Sequence, residues 1–223
     1  MGKILLKNIV TEGVVADILI DADRIAGVFP VGTFCDSQDC GDDVCVVDCE
    51  GKTAVPGFVN MHTHAGMAMM RGIGEDISFH AWIDKIWEVE QNLDEEYVYH
   101  GSKVAFLEMI KTGTTTFNDQ YWYMPMAQKA AAELGLRSAL SYVMLDKNDP
   151  EEAERQKIQC EQTYKMVSSW PETASFLISI HSVYSVQEPM ILWAADFARK
   201  HGLKIHIHVS ETRKEVEDCM AQH

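Results

Sequence analysis

The chain has 223 residues, of which 47% are hydrophobic and 9% aromatic, so it can bury one large core or two small ones. Its formal net charge of −15 argues against nucleic acid and anionic membrane surfaces as partners. No apolar run could span a bilayer and no secretory signal opens the chain, so we expect the cytoplasm as its location and reduced thiols at its six cysteines.

The first 55 residues alternate short apolar runs with turns. Runs at 4–10, 14–20 and 25–28 are separated by Gly and Asp. Such short runs with turn residues between them are typical of antiparallel strands. We predict a small, supporting β domain over residues 1–55, without a catalytic constellation.

After Pro56 the pattern changes to strands that alternate with longer helices. The predicted segments are a strand ending at His64, helices 78–93 and 94–111, strand 114–119, helix 126–134, strand 137–145, helix 150–170, strand 174–181, helix 188–200, strand 203–210 and a helix from 212. Alternation at this spacing predicts βα units and a parallel sheet.

Polar residues collect at the carboxyl ends of these five predicted strands. They are His62 and His64, then Asn118 and Asp119, then His181, and finally His208 and Glu211. A (β/α)₈ barrel places its active site at this end of the strands. An open doubly wound sheet would do the same, but no Gly-rich phosphate loop follows the first strand. The barrel is therefore favoured.

Two histidine pairs predict a metal site. His62 and His64 are two residues apart at a strand end, so their side chains share a face. His206 and His208 share a face of the last strand, so one or both can reach the same cavity. Histidines are ligands of catalytic zinc, which keeps a position for water. The metal would lower the pKa of that water from 15.7 to roughly 7 and provide hydroxide at neutral pH.

Two further polar residues have more than one interpretation. Glu211 follows the last strand, where it could carry a proton between water and a leaving group. It also fits a carboxylate favoured by a helix N-terminus, and the two roles are compatible. His181 could be a neutral hydrogen-bonding group for a substrate or a buried core histidine.

The motifs Val55-Pro-Gly-Phe-Val-Asn-Met-His-Thr-His64 and Leu203-Lys-Ile-His-Ile-His-Val-Ser-Glu-Thr212 together resemble the amidohydrolase superfamily. Within it, they are most similar to the branch of S-adenosylhomocysteine/5′-methylthioadenosine deaminases and s-triazine chlorohydrolases. The resemblance implies an α/β fold, a (β/α)₈ TIM-type metal-hydrolase barrel. Residues 56–223 would hold about five of its eight strands, and residues 1–55 a small composite, urease-like β-sandwich domain.

The resemblance also implies roles for individual residues. The metal would be zinc, with iron as the alternative, and its ligands would be His62, His64 and His208. Glu211 would be the catalytic proton shuttle, and Glu90 and His181 would bind the substrate, Glu90 through ribose hydroxyls. Some of these deaminases hold a substrate carboxylate with a third-strand arginine. Tyr142 aligns there, which weakens homocysteine recognition and leaves methylthioadenosine, adenosine or another amino-heterocycle open.

Part of the family's pattern is not found in this sequence. A sixth-strand His and an eighth-strand Asp would follow His223, and a full barrel needs about 250 residues. An open five-stranded barrel would leave unpaired strand edges. We therefore expect an amino-terminal part of a longer enzyme that needs a complementary C-terminal segment.

The function expected from these observations is metal-dependent hydrolytic deamination of an aminated purine-like ring by metal-bound hydroxide. The ring would be of the methylthioadenosine, S-adenosylhomocysteine or adenosine type. One alternative is a chlorohydrolase acting on an s-triazine or another heterocycle, which would use nearly the same residues. Another is a catalytically incomplete fragment. The expected partners are a small amino-heterocycle and the complementary segment, with neither nucleic acid nor membrane, and homo-oligomerisation is left open.

Overall fold

The chain divides into two units, Met1–Pro56 and Gly57–His223. The sequence of the first unit consists largely of short strand-forming runs. The computed structural model describes residues 2–34 and 44–222. The strands of the first unit are β1 (Lys3–Thr11), β2 (Val14–Asp21), β3 (Arg24–Pro30) and β4 (Val44–Asp48). They form one sheet in the order β3-β2-β1-β4.

Pairing in this sheet departs from the prediction at one strand. β1, β2 and β3 pair antiparallel, as predicted, whereas β4 pairs in parallel with β1. The prediction of an antiparallel unit is therefore confirmed for β1, β2 and β3 and wrong for β4. Within residues 2–34 and 44–56 there is one sheet, so a β-sandwich remains a prediction.

The second unit alternates strands and helices. Its elements are β5 (Phe58–Thr63), α1 (Phe79–Glu90), α2 (Glu95–Lys111), β6 (Thr114–Gln120), α3 (Met124–Leu134), β7 (Arg137–Met144), α4 (Pro150–Met166), β8 (Ala174–Ser182), α5 (Glu188–His201), β9 (Ile205–His208) and α6 (Arg213–Gln222), with short 3₁₀ helices at Ala65–Met70 and Val167–Ser169. The five strands are all parallel, in the order β5-β6-β7-β8-β9. The predicted parallel α/β unit is confirmed.

Helix ends fall at the predicted capping residues. The Ser78 hydroxyl accepts a hydrogen bond from the Ala81 N–H at the start of α1, and the Asp94 carboxylate accepts one from the Tyr97 N–H at the start of α2. Gly202 ends α5 with φ +65°, a left-handed conformation that costs glycine little. The predicted helix 150–170 is shorter in the structure, because α4 ends at Met166 and a 3₁₀ turn follows.

The parallel sheet is strongly curled. In a flat sheet, four spacings of about 4.8 Å would put β5 and β9 about 19 Å apart. However, Nδ1 of His62 on β5 lies 2.8 Å from Nε2 of His206 on β9. Two imidazole side chains are too short to bridge a gap of 19 Å, so the sheet bends into a half-barrel. Its two edge strands meet through their side chains at the carboxyl end.

The core of this unit lies between the sheet and its helices. It includes the fully buried side chains of Phe106, Phe117, Leu140, Ile178 and Met190. Among the described residues, no helix is both long and apolar enough to cross a membrane.

The thiols were predicted to be reduced. Cys45, Cys49, Cys160 and Cys219 are free thiols, whereas Cys35 and Cys40 lie outside the described residues.

Candidate metal centre

Three histidines converge where the edge strands of the curled sheet meet. His62 lies on β5, His64 directly follows it, and His208 is the last residue of β9. One ring nitrogen from each lies within 4.8 Å of the others, and the Nε2 atoms of His62 and His208 are 3.2 Å apart. Around a tetrahedral zinc with Zn–N bonds of about 2.1 Å, ligand nitrogens are about 3.4 Å apart. The three rings therefore fit a single divalent cation.

The outward nitrogens of two of these rings are held by backbone carbonyls. Nδ1 of His64 lies 2.6 Å from the carbonyl oxygen of Gln120, and Nδ1 of His208 lies 2.9 Å from that of His181. A carbonyl oxygen only accepts hydrogen bonds, so each Nδ1 carries the proton and donates it. Nε2 of each ring consequently keeps its lone pair, and the hydrogen bond fixes the ring orientation.

Burial favours the neutral form of two ligand candidates, His64 and His62. It lowers the pKa of His64 to about 4, although the Gln120 carbonyl acts in the opposite direction. Partial burial, followed by the neighbouring His208, also lowers the pKa of His62. A neutral imidazole is the form that binds a metal, so the site is ready for a cation at neutral pH.

One cavity adjoins the triad and collects the other predicted site residues. Glu90, His181 and Glu211 line it together with His64 and His208. Aromatic side chains form much of its wall: Trp82, Trp87, Tyr121 and Trp122. The structure therefore brings together all six residues singled out in the sequence, with His62 joined to the cavity through His208.

Glu211 is aimed into this cavity by a turn after β9. Ser210 has φ +59°, a left-handed conformation that reverses the chain. The buried Glu215 carboxylate holds the turn, accepting the Ser210 N–H at 3.0 Å and the Glu211 N–H at 2.8 Å. Thr212 Oγ1 in turn accepts the Glu215 N–H at 3.1 Å, as in a capping box. Thr212 thus caps α6 and Glu215 holds the turn before it, and among the described residues no hydrogen bond engages the Glu211 carboxylate.

Burial shifts the pKa of both predicted substrate-binding residues. Burial raises the pKa of Glu90, and the Trp122 Nε1–H, 3.1 Å from Oε2, partly offsets this effect. Burial lowers the pKa of His181 to about 3, so its ring is neutral. Nδ1 of His181 lies 2.9 Å from the Ser185 hydroxyl, which leaves Nε2 for other contacts. Both residues offer hydrogen-bonding groups at the cavity.

Lys147 is a site neighbour that sequence reasoning missed. Its Nζ lies 4.4 Å from the ring centroid of Trp87, a cation–π contact, and its charge lowers the pKa of both Glu90 and His181. Lys147 follows β7 and Trp87 lies on α1, so no local sequence pattern predicts that these two residues are in contact.

Tyr142 does not occupy a substrate-facing position. Its hydroxyl donates to Oε1 of Gln159 on α4 at 3.1 Å, so the side chain lies on the helix-covered face of β7. The interpretation that Tyr142 replaces a carboxylate-binding arginine is therefore wrong. Alternation along the strand puts its neighbours Ser141 and Val143 on the inner face instead.

Comparison with known proteins identifies similar sequences and folds. The model of the amidohydrolase family matches residues 53–223. The 5′-deoxyadenosine deaminase of Methanoregula boonei is 37% identical over 226 residues, which cover 99% of this chain and 50% of that protein. The 5-methylthioadenosine/S-adenosylhomocysteine deaminase of Thermococcus sibiricus is 37% identical over 207 residues, 91% of this chain and 46% of that protein. The chain thus spans about half the length of these curated relatives.

A solved structure of similar fold is an adenosine deaminase from Xanthomonas campestris with bound zinc. It superposes with a TM-score of 0.80 at 23% sequence identity, over 99% of this chain and 52% of that one. At this level of identity the likeness concerns the fold.

Proposed function

The chain belongs to the amidohydrolase family, and on that premise we propose that it carries the metal-binding and proton-transfer residues of a hydrolase that deaminates an aminated purine-like ring. The observation that carries the proposal is the convergence of three histidines beside a cavity that Glu211 also lines. Relatives named as 5′-deoxyadenosine and methylthioadenosine/S-adenosylhomocysteine deaminases support an adenosine-type substrate.

We assign the metal to the Nε2 atoms of His62, His64 and His208. The hydrogen bonds from Nδ1 of His64 and His208 to carbonyl groups support this assignment, since both rings turn their lone pairs inward. Zinc, or iron as the alternative, would supply Lewis acidity that makes a water molecule a nucleophile at neutral pH. A catalytic zinc usually has three protein ligands and an open position, and this triad matches that number.

Glu211 would carry the proton. As water adds to the carbon that bears the amino group, the Glu211 carboxylate takes one water proton and passes it to a ring nitrogen. The second water proton goes from the added oxygen to the amino group, the C–N bond breaks, ammonia leaves and an oxo group remains on the ring. The turn held by Glu215 supports this role, because it keeps the Glu211 backbone in place while the side chain stays free.

Glu90 and His181 would hold the substrate in the same cavity. The Glu90 carboxylate can accept hydrogen bonds from sugar hydroxyls, and the free Nε2 of His181 can bond to the heterocycle. The flat walls provided by Trp82, Trp87 and Trp122 suit an aromatic ring. These contacts would orient the amino-bearing carbon toward the three histidines.

A complementary segment would complete the fold. Phe58, Val59 and Met61 on edge strand β5 are 62%, 55% and 69% exposed, although strands of parallel sheets are normally covered on both faces. We propose that residues 56–223 form the first five βα units of a (β/α)₈ barrel and residues 1–55 the small β domain. Further strands would cover the exposed edges of the half-barrel. Further strands beside the sheet of the small β domain would complete a β-sandwich there. A cytoplasmic location and self-association remain predictions.

Reconstitution tests this proposal. The chain would be co-expressed with the part of the Methanoregula boonei deaminase that follows its matched half, and zinc and iron would be counted by elemental analysis. Ammonia release from 5′-deoxyadenosine, methylthioadenosine and adenosine is expected from the assembled pair. Chloride release from a chlorinated s-triazine without ammonia would favour the chlorohydrolase alternative. Absence of both metal and turnover would favour a non-catalytic fragment.

A further inference from the structure

We propose that His206 is a positioning residue that fixes the tautomer of His62 and so aims the His62 Nε2 lone pair at the metal centre. The inference rests on the metal site proposed above and adds a residue that is not a ligand. Two contacts carry it. Nδ1 of His62 lies 2.8 Å from Nε2 of His206, while Nε2 of His62 lies 3.2 Å from Nε2 of His208.

His206 lies behind His62 and outside the triad. The two nitrogens of the His62 ring contact different neighbours, His206 through Nδ1 and His208 through Nε2. A cation bound at Nε2 would therefore lie on the side of the ring away from His206. Among the described residues, the cluster of possible ligands within 4.8 Å comprises His62, His64 and His208. Of the two β9 histidines, His208 alone joins this cluster.

The His62–His206 pair can hold its proton in two ways. If the His62 Nδ1–H donates to His206, the lone pair of His62 stays on Nε2. If the His206 Nε2–H donates instead, neutral His62 carries its proton on Nε2, where it would face His208 and block a metal. Ser141 Oγ lies 3.2 Å from Nδ1 of His206, and a hydroxyl can accept or donate, so it permits either arrangement.

A cation bound at Nε2 of His62 requires the first arrangement, which the other two rings of the triad already adopt. His64 and His208 each donate an Nδ1–H to a backbone carbonyl and present Nε2. At His62 the acceptor is the His206 ring in place of a carbonyl. Metal-ligating histidines almost always donate their second N–H to such a partner, and losing the partner typically weakens metal binding 10–100-fold. His206 supplies this partner for His62.

Three substitutions separate this role from general packing. His206→Gln puts an amide oxygen near the position of Nε2 and keeps an acceptor for His62, whereas His206→Asn reaches toward Ser141 only. His206→Leu removes both contacts. His100→Gln on α2 is the matched control, because the His100 side chain is 58% exposed and belongs to no part of the site.

Zinc affinity, measured by chelator competition on the purified chain, gives the first readout. We expect H206Q and H100Q to bind within about threefold of the unsubstituted chain, and H206N and H206L to bind about 10–100-fold more weakly. Circular dichroism would establish that each variant is folded. Equal affinity of H206L and the unsubstituted chain would overturn the inference. An equal loss in folded H206Q and H206L would do the same.

The imidazole tautomer of His62 in the zinc-loaded chain gives a second readout that does not depend on turnover. Long-range ¹H–¹⁵N correlation spectra at pH 7 should show zinc-loaded His62 with its proton on Nδ1, both in the unsubstituted chain and in H206Q. A proton on Nε2 of zinc-loaded His62 in the unsubstituted chain would overturn the inference. Failure of the proposed function would appear separately, as zinc binding without ammonia release from the assembled pair.

Discussion

Asp119 should make the second unit less stable as the pH rises, and Asp119→Asn should remove this dependence. The Asp119 side chain is buried near the end of β6. Its Oδ1 accepts a hydrogen bond at 2.8 Å from the N–H of Ala65, the residue directly after His64. Burial raises the pKa of Asp119 from 3.8 to about 7, and the hydrogen bonds from backbone N–H groups only partly oppose this. Ionisation of this carboxyl group therefore works against folding.

The sign and size of the effect follow from linkage. Because the pKa is higher in the folded chain, the stabilising contribution is complete below pH 3.8, decreases as the pH rises, and is lost once the pH passes about 7. Each pKa unit corresponds to about 1.4 kcal/mol. A shift of about three units therefore changes the free energy of unfolding by about 4 kcal/mol between pH 4 and pH 7.

Urea unfolding of the metal-free chain and the D119N variant between pH 4 and pH 8 checks this value. The histidine titrations are common to both chains and cancel in the difference. As the pH rises across this range, we expect the free energy of unfolding of D119N to increase by about 4 kcal/mol relative to that of the unsubstituted chain. Asp84→Asn, at an exposed position on α1, is the control and should show no such trend. A difference between D119N and the unsubstituted chain that does not vary with pH would refute the reasoning.

Three further predictions concern the site. Glu211→Gln should retain zinc and lower ammonia release by about 10²–10⁴-fold, because the proton carrier is lost; full turnover would remove Glu211 from the proton path. His208→Ala should abolish stoichiometric zinc in elemental analysis, since a ligand is deleted, and unchanged zinc content would exclude His208 as a ligand. Glu215→Ala should lower the free energy of unfolding by about 1.5–3 kcal/mol and reduce turnover while zinc remains, because the Glu211 turn loses its acceptor. Glu215→Gln should recover part of the lost stability and part of the lost turnover. Turnover of E215Q as low as that of E215A would contradict this account.

Much of the fold was predictable because its signals are local. Ser78, Asp94 and Gly202 mark helix ends through their own hydrogen bonding and φ preference, and these boundaries held. The parallel pairing of β4 with β1 was not predictable, since the direction in which a strand pairs depends on its tertiary neighbour and not on its own residues. Tyr142 was assigned to the wrong face because an alignment by motif does not fix the strand register that decides which side chains point inward.

The sequence alone determined which residues could form the site. Two-residue spacing puts His62 with His64 and His206 with His208 on common strand faces, and the family motifs single out Glu90, His181 and Glu211. Tertiary structure decided which nitrogen of each histidine faces which neighbour. His62 and His206 are 144 residues apart, and the curl of a five-stranded sheet closes that separation to a 2.8 Å contact. Periodicity along a strand specifies a face, whereas the meeting of two edge strands depends on how the whole sheet bends and packs.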